Sequence, residues 1–177
     1  QNPTKRSVLF IAFTGEEMGL LGSSYYADHP LIPLKQTVLN LNTDGGGYDD
    51  KTAYSVVGYD RVGLEAEFEQ AAKMFGLKVI ADPAPDQNLF DRSDNVNFAV
   101  KGIPAPTISP GMSGFSSEIQ KYYHQVADNP ESIDFDYLLS YCKVYSYLTK
   151  AVGDKATAPK WKSGDKYEAA AKALYGN

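Results

Sequence analysis

The sequence predicts an α/β fold in which helices cover both faces of a mostly parallel central sheet. Short apolar runs that indicate strands alternate along the 177 residues with segments of helical periodicity. Acidic residues and glycines directly follow two of these runs, which is typical of the carboxyl ends of strands in open α/β sheets. Together these observations predict a three-layer α/β/α sandwich.

The first predicted strand covers residues 7–13. Its uninterrupted apolar run at residues 8–13 is typical of a strand that is buried on both faces. Gly15 permits a tight turn directly after it, and the apolar residues that follow predict a helix over residues 18–27. The adjacent acids Glu16 and Glu17 are therefore expected where a buried strand gives way to a helix.

The rest of the chain alternates between the same two patterns. The apolar spacing of residues 62–75 fits one face of a helix that ends at Gly76. The other predicted elements are strands over residues 37–42, 54–58, 77–80 and 103–109, helices over residues 95–101, 135–152 and 166–174, and a linker of low hydrophobicity over residues 153–165.

Composition and charge exclude several classes of function. The net charge of −5 without any basic run argues against nucleic acid and anionic membranes as partners. No apolar stretch approaches the length that spans a bilayer. The single cysteine, Cys142, excludes an internal disulfide and a multi-cysteine metal site, and we expect it to be a small buried hydrophobe. We interpret residues 1–177 as one domain.

Five polar residues at strand ends and on loops are candidates for chemistry. Glu16 and Glu17 follow the first strand, Asp44 follows the second, and Asp94 and His124 lie in long polar segments. Acids combined with a histidine are the ligand set of zinc or a similar divalent metal. A carboxylate that does not bind the metal can act as a general base. Because adjacent side chains point in different directions, Glu16 and Glu17 could divide these two roles.

Each candidate also has a simpler interpretation. The two adjacent glutamates could be solvated acids in the first turn of a helix, and Asp44 could be a solvated turn acid. Asp94 could cap the following helix, and His124 could be an ordinary histidine. The sequence contains no HExxH, CxxC, GxSxG or Walker motif, so spacing alone leaves these alternatives open.

Four segments, in order, resemble motifs of the M28 family of zinc aminopeptidases. They are FTGEEMGLLGS at residues 13–23, NLNTDGGG at 40–47, RSDNVNFAVKGIPA at 92–105 and YYHQVADNPESID at 122–134. They are spread over most of residues 7–150, which makes the match specific. The resemblance implies the zinc-peptidase fold and an enzyme that hydrolyses the N-terminal residue of a peptide through a water activated by two zinc ions.

The resemblance also implies a role for each matched residue. The roles are general base and acid for Glu16, zinc ligand for Glu17, Asp44 and His124, and substrate contact for Tyr123 and Asp94. Glu17 and His124 would share one zinc ion, and Asp44 would bind the other. The substrate's free α-amine would lie against acids and a metal, which implies exopeptidase specificity.

The chain also departs from the family pattern. In the family a His and a metal-bridging Asp lie upstream of the GEE strand, whereas only six residues precede that strand here. The resemblance therefore implies the C-terminal portion of a catalytic domain, without the N-terminal strands and with an exposed sheet edge. We expect weak metal binding and little or no activity from this chain alone, because Glu17 and His124 are fewer than the three protein ligands typical of catalytic zinc.

Two smaller departures concern substrate preference. Asn95 stands where many members have His, and residues 43–47 differ from the usual Asp-Met-Ile-Gly. Two alternative functions remain open, a metal-free receptor or binding module and a single-zinc enzyme of the glutaminyl-cyclase type. A binding module has no need for all four of the intact residues Glu16, Glu17, Asp44 and His124, which argues against the first alternative. Comparing turnover of aminoacyl-anilides with that of glutaminyl peptides distinguishes the second alternative from an aminopeptidase.

The expected partner is a peptide substrate, and the exposed sheet edge predicts possible self-association. The resemblance and the missing start suggest an exported protein, periplasmic or extracellular, although no signal peptide is visible after Gln1.

Overall fold

A computed structural model describes residues 3–45 and 48–176 of the chain. Within those residues the strands form one sheet: β1 (Asn42–Thr43), β2 (Ala53–Val57), β3 (Lys78–Ala81) and β4 (Thr107–Pro110). The strand order is β1-β4-β2-β3. The β1–β4 and β2–β3 pairs are parallel, and the β2–β4 pair is antiparallel. The prediction of an α/β fold with a mostly parallel sheet is confirmed.

The helices match the predicted ones in number and order, with one short addition. They are α1 (Leu21–Asp28), α2 (Glu65–Phe75), α3 (Asn95–Ala99), α4 (Ser117–Gln120), α5 (Phe135–Asp154) and α6 (Glu168–Tyr175). Short 3-10 turns lie at Leu34–Gln36, Pro85–Gln87, Leu89–Arg92 and Pro130–Ser132. None of the described helices is long and apolar enough to cross a membrane.

The core forms where α2 and α5 pack against each other and against the sheet. Phe68 of α2, Val144 and Leu148 of α5 and Val56 of β2 are almost fully buried. Two tyrosine hydroxyls attach α5 to the strands. Tyr141 donates to the Ile108 carbonyl at 2.9 Å and Tyr137 to the Ala53 carbonyl at 2.7 Å, so their buried rings keep a polar partner.

The first predicted strand is absent from the described structure. Residues 7–13 are in no helix or strand, and they form none of the backbone hydrogen bonds found among the described residues. Phe10 is 80% exposed and Leu9 is 53% exposed. The prediction of a strand buried on both faces is therefore wrong for this chain. A strand buries both faces only when neighbouring elements cover it, and the described residues do not cover this one.

The second predicted strand is present only at its carboxyl end, as β1. Its pairing extends slightly further, because the Asn40 and Asn42 amides donate to the Pro104 and Pro106 carbonyls at 2.9 and 3.1 Å. The expectation that Cys142 is buried is also wrong. Cys142 is exposed on α5, because the face of the helix that includes Tyr141 and Val144 points inward.

Candidate active site

The two adjacent glutamates lie in a tight turn between residues 7–13 and α1. Gly15 adopts a left-handed conformation with φ of 68°, which an L side chain rarely adopts. Its carbonyl accepts hydrogen bonds from the Met18 and Leu21 amides at 3.2 and 3.1 Å. This turn occupies the residues that the sequence assigns to the start of a helix, so α1 begins at Leu21. Glu16 is half-buried in the turn and Glu17 is exposed.

Glu17 and His124 contact each other although 107 positions separate them in the sequence. The His124 Nε2 atom lies 2.9 Å from Oε1 of Glu17. His124 has a φ of 56°, a left-handed conformation that is uncommon for a residue other than glycine. Two ligands of one tetrahedral zinc ion stand roughly 3–3.5 Å apart, given the usual zinc–ligand bond lengths. The 2.9 Å separation of this carboxylate and imidazole is that of a hydrogen bond, and it brings two side chains of zinc-ligand type together.

Glu16 lies near several other acidic groups. Partial burial raises the pKa of Glu16 above its ordinary value, and repulsion from Asp44, Glu17 and Asp94 raises that pKa further. The nearby His124 has the opposite effect. The other four candidate residues are thus close enough to influence the Glu16 carboxyl group. A concentration of negative charge of this kind is favourable for a bound cation.

Asp94 is held by a contact that the sequence does not reveal. It occupies the position before α3, but its side chain caps no helix amide and instead accepts a hydrogen bond from the Ser23 hydroxyl on α1. Ser23 is fully buried and also accepts a hydrogen bond from Asn97 Nδ2 at 2.8 Å. Burial and the charge of Asp44 raise the pKa of Asp94, while the Ser23 hydroxyl opposes them. The simple interpretation of Asp94 as a helix cap is therefore wrong.

Asp44 directly follows β1, and the residues before it are fixed by side-chain contacts. Asn42 Nδ2 donates to the Ser93 hydroxyl at 2.9 Å, and the Thr43 hydroxyl lies 2.5 Å from the Tyr141 hydroxyl. These contacts tie the end of β1 to the loop before Asp94 and to α5. Neither contact has a signal in the sequence, because each joins distant segments. Residues 46 and 47, two of the glycines that follow Asp44, lie outside the described residues.

Tyr123 lies beside the histidine of the site. Its ring stacks on the His124 ring with centroids 4.0 Å apart, and the edge-on Phe115 ring is 5.4 Å away. Tyr123 is 42% exposed. An exposed aromatic ring that is fixed beside a candidate metal ligand is suitably placed to contact a substrate.

The donor set fits a zinc centre in part. Carboxylate oxygen and imidazole nitrogen are normal zinc ligands, and Glu17 and His124 present one of each. Within residues 3–45 and 48–176, however, no group of three or more His, Cys, Asp or Glu side chains is arranged to hold a metal ion. The described residues therefore place two side chains of zinc-ligand type, Glu17 and His124, in contact, with Asp44 nearby.

Comparison with known proteins gives consistent results. The sequence model of Peptidase family M28 matches residues 1–149. The chain is 29% identical over 132 residues to aminopeptidase YwaD of Bacillus subtilis (strain 168), which covers 74% of this chain and 29% of YwaD. It is 27% identical over 185 residues to probable leucine aminopeptidase 2 of Aspergillus oryzae (strain ATCC 42149 / RIB 40), which covers 90% of this chain and 36% of that protein.

The structural comparison concerns the fold. An aminopeptidase from Aneurinibacillus sp. strain AM-1 superimposes with a TM-score of 0.58 at 21% identity, covering 85% of this chain and 33% of that one. The chain spans about a third of the length of the relatives that it matches.

Proposed function

Because the chain belongs to peptidase family M28, we propose that it supplies the general base and part of the zinc centre of an aminopeptidase. The reaction would be hydrolysis of the N-terminal residue of a peptide. The observation that carries this proposal is the contact between Glu17 and His124 beside the half-buried Glu16. The names of both curated relatives, each an aminopeptidase, support the same reaction.

The metal ligands in this proposal are Glu17 and His124 for one zinc ion and Asp44 for a second. Zinc held by these residues would supply Lewis-acid stabilisation of negative charge on the scissile carbonyl and would lower the pKa of water. Glu17 and His124 come from different segments, so their contact holds the turn before α1 against the loop after α4. This chain alone is expected to bind zinc weakly and to have little activity, because two ligands are fewer than catalytic zinc sites usually have.

Glu16 is the proposed general base and acid. Partial burial and neighbouring acids raise the pKa of its carboxyl group, which makes it a better proton acceptor than an exposed glutamate. It would take a proton from the attacking water and return it to the leaving amine. Its neighbour Glu17 points to His124, so the two adjacent glutamates have separate tasks in this proposal.

Asp94 and Tyr123 are the proposed substrate contacts. The Asp94 carboxylate is near Asp44 and Glu16, where negative charge would attract the protonated α-amine of a peptide. Tyr123 would orient the substrate beside His124. A requirement for a free α-amine would restrict the proposed enzyme to the terminal residues of peptides.

The test compares this chain with a longer protein that includes upstream residues. Zinc content is measured by elemental analysis, and turnover is measured with a leucyl-anilide and with a glutaminyl peptide. We expect zinc and leucyl-anilide turnover in the longer protein. Glu16→Gln should keep the zinc and lower kcat about 10²- to 10⁴-fold, as for loss of a general base. The exposed Glu131→Gln serves as the matched control and should leave both unchanged.

Three results would contradict the proposal. A longer protein with neither zinc nor turnover would favour a metal-free binding module. Preference for the glutaminyl peptide would favour a cyclase-type enzyme. Unchanged kcat in Glu16→Gln would exclude Glu16 as the base.

Two further properties are proposed from the family resemblance and the exposed residues. The complete protein would be exported, which fractionation of the source cells would test. Copies of this chain would associate through the exposed residues 7–12, whose backbone forms no hydrogen bond within the part of the chain that the structure describes and could pair with another strand. Sedimentation that shows only monomers at high concentration would contradict this association.

A further inference from the structure

The end of the chain lies beyond the residues that match the family. That match ends at residue 149, and residues 155–176, here named the strap, follow α5. The low hydrophobicity of residues 153–165 predicts a linker. The strap nevertheless packs onto the body of the protein, with Trp161 only 6% and Tyr167 only 8% exposed. Burial of these aromatic side chains shows that the strap is packed against the protein. Its contacts lie on both sides of Asp94 in the sequence.

The strap first contacts the turn just before Asp94. The Tyr167 hydroxyl donates to Oδ1 of Asp91 at 2.8 Å, and Lys166 Nζ donates to Oδ2 of the same carboxylate at 2.5 Å. Asn88 Nδ2 donates to that carboxylate at 3.1 Å. Asp91 therefore receives two of its three side-chain hydrogen bonds from the strap. Bonds to a charged acceptor are the stronger class of hydrogen bond.

An aromatic cluster supports the same turn. Phe90 is 5% exposed and lies against Trp161 and Tyr167, with ring centroids 6.0 and 5.9 Å away. The Arg61 guanidinium lies 3.9 Å from the centre of the Phe90 ring. Asp165 of the strap accepts two hydrogen bonds from that guanidinium, at 2.7 and 3.0 Å. The strap thus packs two aromatic rings against Phe90 and also fixes the Arg61 guanidinium above the Phe90 ring.

The strap also contacts the segment that follows Asp94. Trp161 Nε1 donates to the Gly102 carbonyl at 3.1 Å, just after α3. A Cβ on Gly102 would lie only 2.5 Å from the Ala171 amide of α6, so only glycine permits this close approach. Asp94 therefore lies between two points, at residues 90–91 and at Gly102, that the strap fixes.

We propose that the strap positions Asp94 for the α-amine of the substrate, with Asp91 and Tyr167 as positioning residues. This inference rests on the proposed function, because the substrate contact of Asp94 is part of it. Electrostatic recognition of an ammonium group requires a carboxylate that is already in place. Because the strap already orders this segment in the folded protein, the entropic cost of ordering it does not reduce the affinity for the peptide.

The first measurement needs no activity. Hydrogen exchange of the amides of residues 88–94 is followed in this chain and in Asp91→Asn. Losing charge-assisted hydrogen bonds should accelerate exchange roughly tenfold or more in this segment. Asp154→Asn is the matched control, because Asp154 also accepts hydrogen bonds from a lysine, Lys150, and a backbone amide, Lys5. Equal exchange at residues 88–94 in Asp91→Asn and the unchanged chain would overturn the proposal.

The second measurement uses the longer protein and aminoacyl-anilide substrates. Tyr167→Phe and Asp91→Asn should each raise KM severalfold with little change in kcat. In an Asp94→Asn background the same substitutions should raise KM no further, because the carboxylate that they position is gone. Equal increases in KM in both backgrounds would overturn the proposal and leave the strap with a purely structural role.

Failure of the proposed function is distinguishable from failure of this inference. A longer protein without turnover overturns the proposed function and, with it, the substrate contact of Asp94. The exchange experiment still decides whether the strap fixes residues 88–94.

Discussion

Residues 8–11 and strand β2 have similar apolar sequences and opposite environments. Within residues 8–11 the exposed fractions are 40% for Val8, 53% for Leu9, 80% for Phe10 and 40% for Ile11. Within β2 they are 1% for Ala53, 0% for Tyr54 and Val56 and 4% for Val57. β2 pairs with β3 on one side and β4 on the other. An apolar sequence thus indicates that a segment can be buried, but the segment is buried only where neighbouring strands pair with it.

Residues of the candidate site also differ in how firmly they are attached to the core. Asp94 and Asp44 follow elements that are tied to the core, through Ser23 and Tyr141 among others. The turn with Glu16 and Glu17 follows the exposed residues 7–12, and its long-range side-chain contact is with the exposed His124. We therefore expect the acidic loops to be rigid and the glutamate turn to become equally rigid only when residues 7–12 are covered.

The largest expected effect comes from truncating one phenylalanine in each region. Phe68 is fully buried between α2 and the sheet, so Phe68→Ala should lower the free energy of unfolding by about 3–5 kcal/mol. Phe10→Ala should change it by less than about 0.5 kcal/mol, because Phe10 is mostly exposed. Denaturant unfolding of both variants measures the difference. Similar losses of unfolding free energy in the two variants would show that Phe10 is packed in solution. That result would contradict the contrast between the exposed residues 8–11 and the buried strand β2.

An intermediate effect is expected at the contact between α1 and α3. Ser23→Ala removes a buried hydroxyl that joins Asp94, Asn97 and the Leu20 carbonyl. Leaving buried polar groups without a partner should lower the free energy of unfolding by about 1–3 kcal/mol. The neighbouring Ser24→Ala is the control, because Ser24 is exposed on the same helix. Equal, small effects in the two variants would mean that Ser23 does not tie α1 to the core.

The smallest expected effect is a pH dependence at the start of α5. The hydrogen bond from Lys51, together with those from the Tyr137 and Asp136 amides, holds the pKa of Asp134 below its ordinary value. A carboxyl group with a lowered folded-state pKa stabilises the fold above its unfolded pKa of about 4, and this contribution is lost as the pH falls through the folded value. Asp134→Asn should therefore reduce the loss of stability upon acidification.

Unfolding free energies measured from pH 7 to about pH 3, across the range in which carboxylates titrate, test this expectation. The exposed Asp60→Asn should retain the pH dependence of the unchanged chain. If the free energy of unfolding of Asp134→Asn depended on pH in the same way as that of the unchanged chain, Asp134 would make no contribution to this pH dependence.

Some elements could be predicted because their signals are local. The apolar spacing of residues 62–75 with Gly76 identifies α2, and the structure places that helix at Glu65–Phe75. The order of four motifs identifies the family, which the match over residues 1–149 confirms. The start of α1 differs from the predicted one, because the turn after Gly15 resembles the first turn of a helix in sequence.

Most of the alternation of helices and strands, the family and the candidate residues are readable from the sequence, because periodicity and motifs act over short distances along the chain. Which residues meet depends on the packing of the folded chain. The contact of Glu17 with His124 and that of Asp91 with Tyr167 join segments 107 and 76 positions apart. Such contacts, like the exposure of residues 8–11, depend on which elements pack together, and packing is a property of the whole fold.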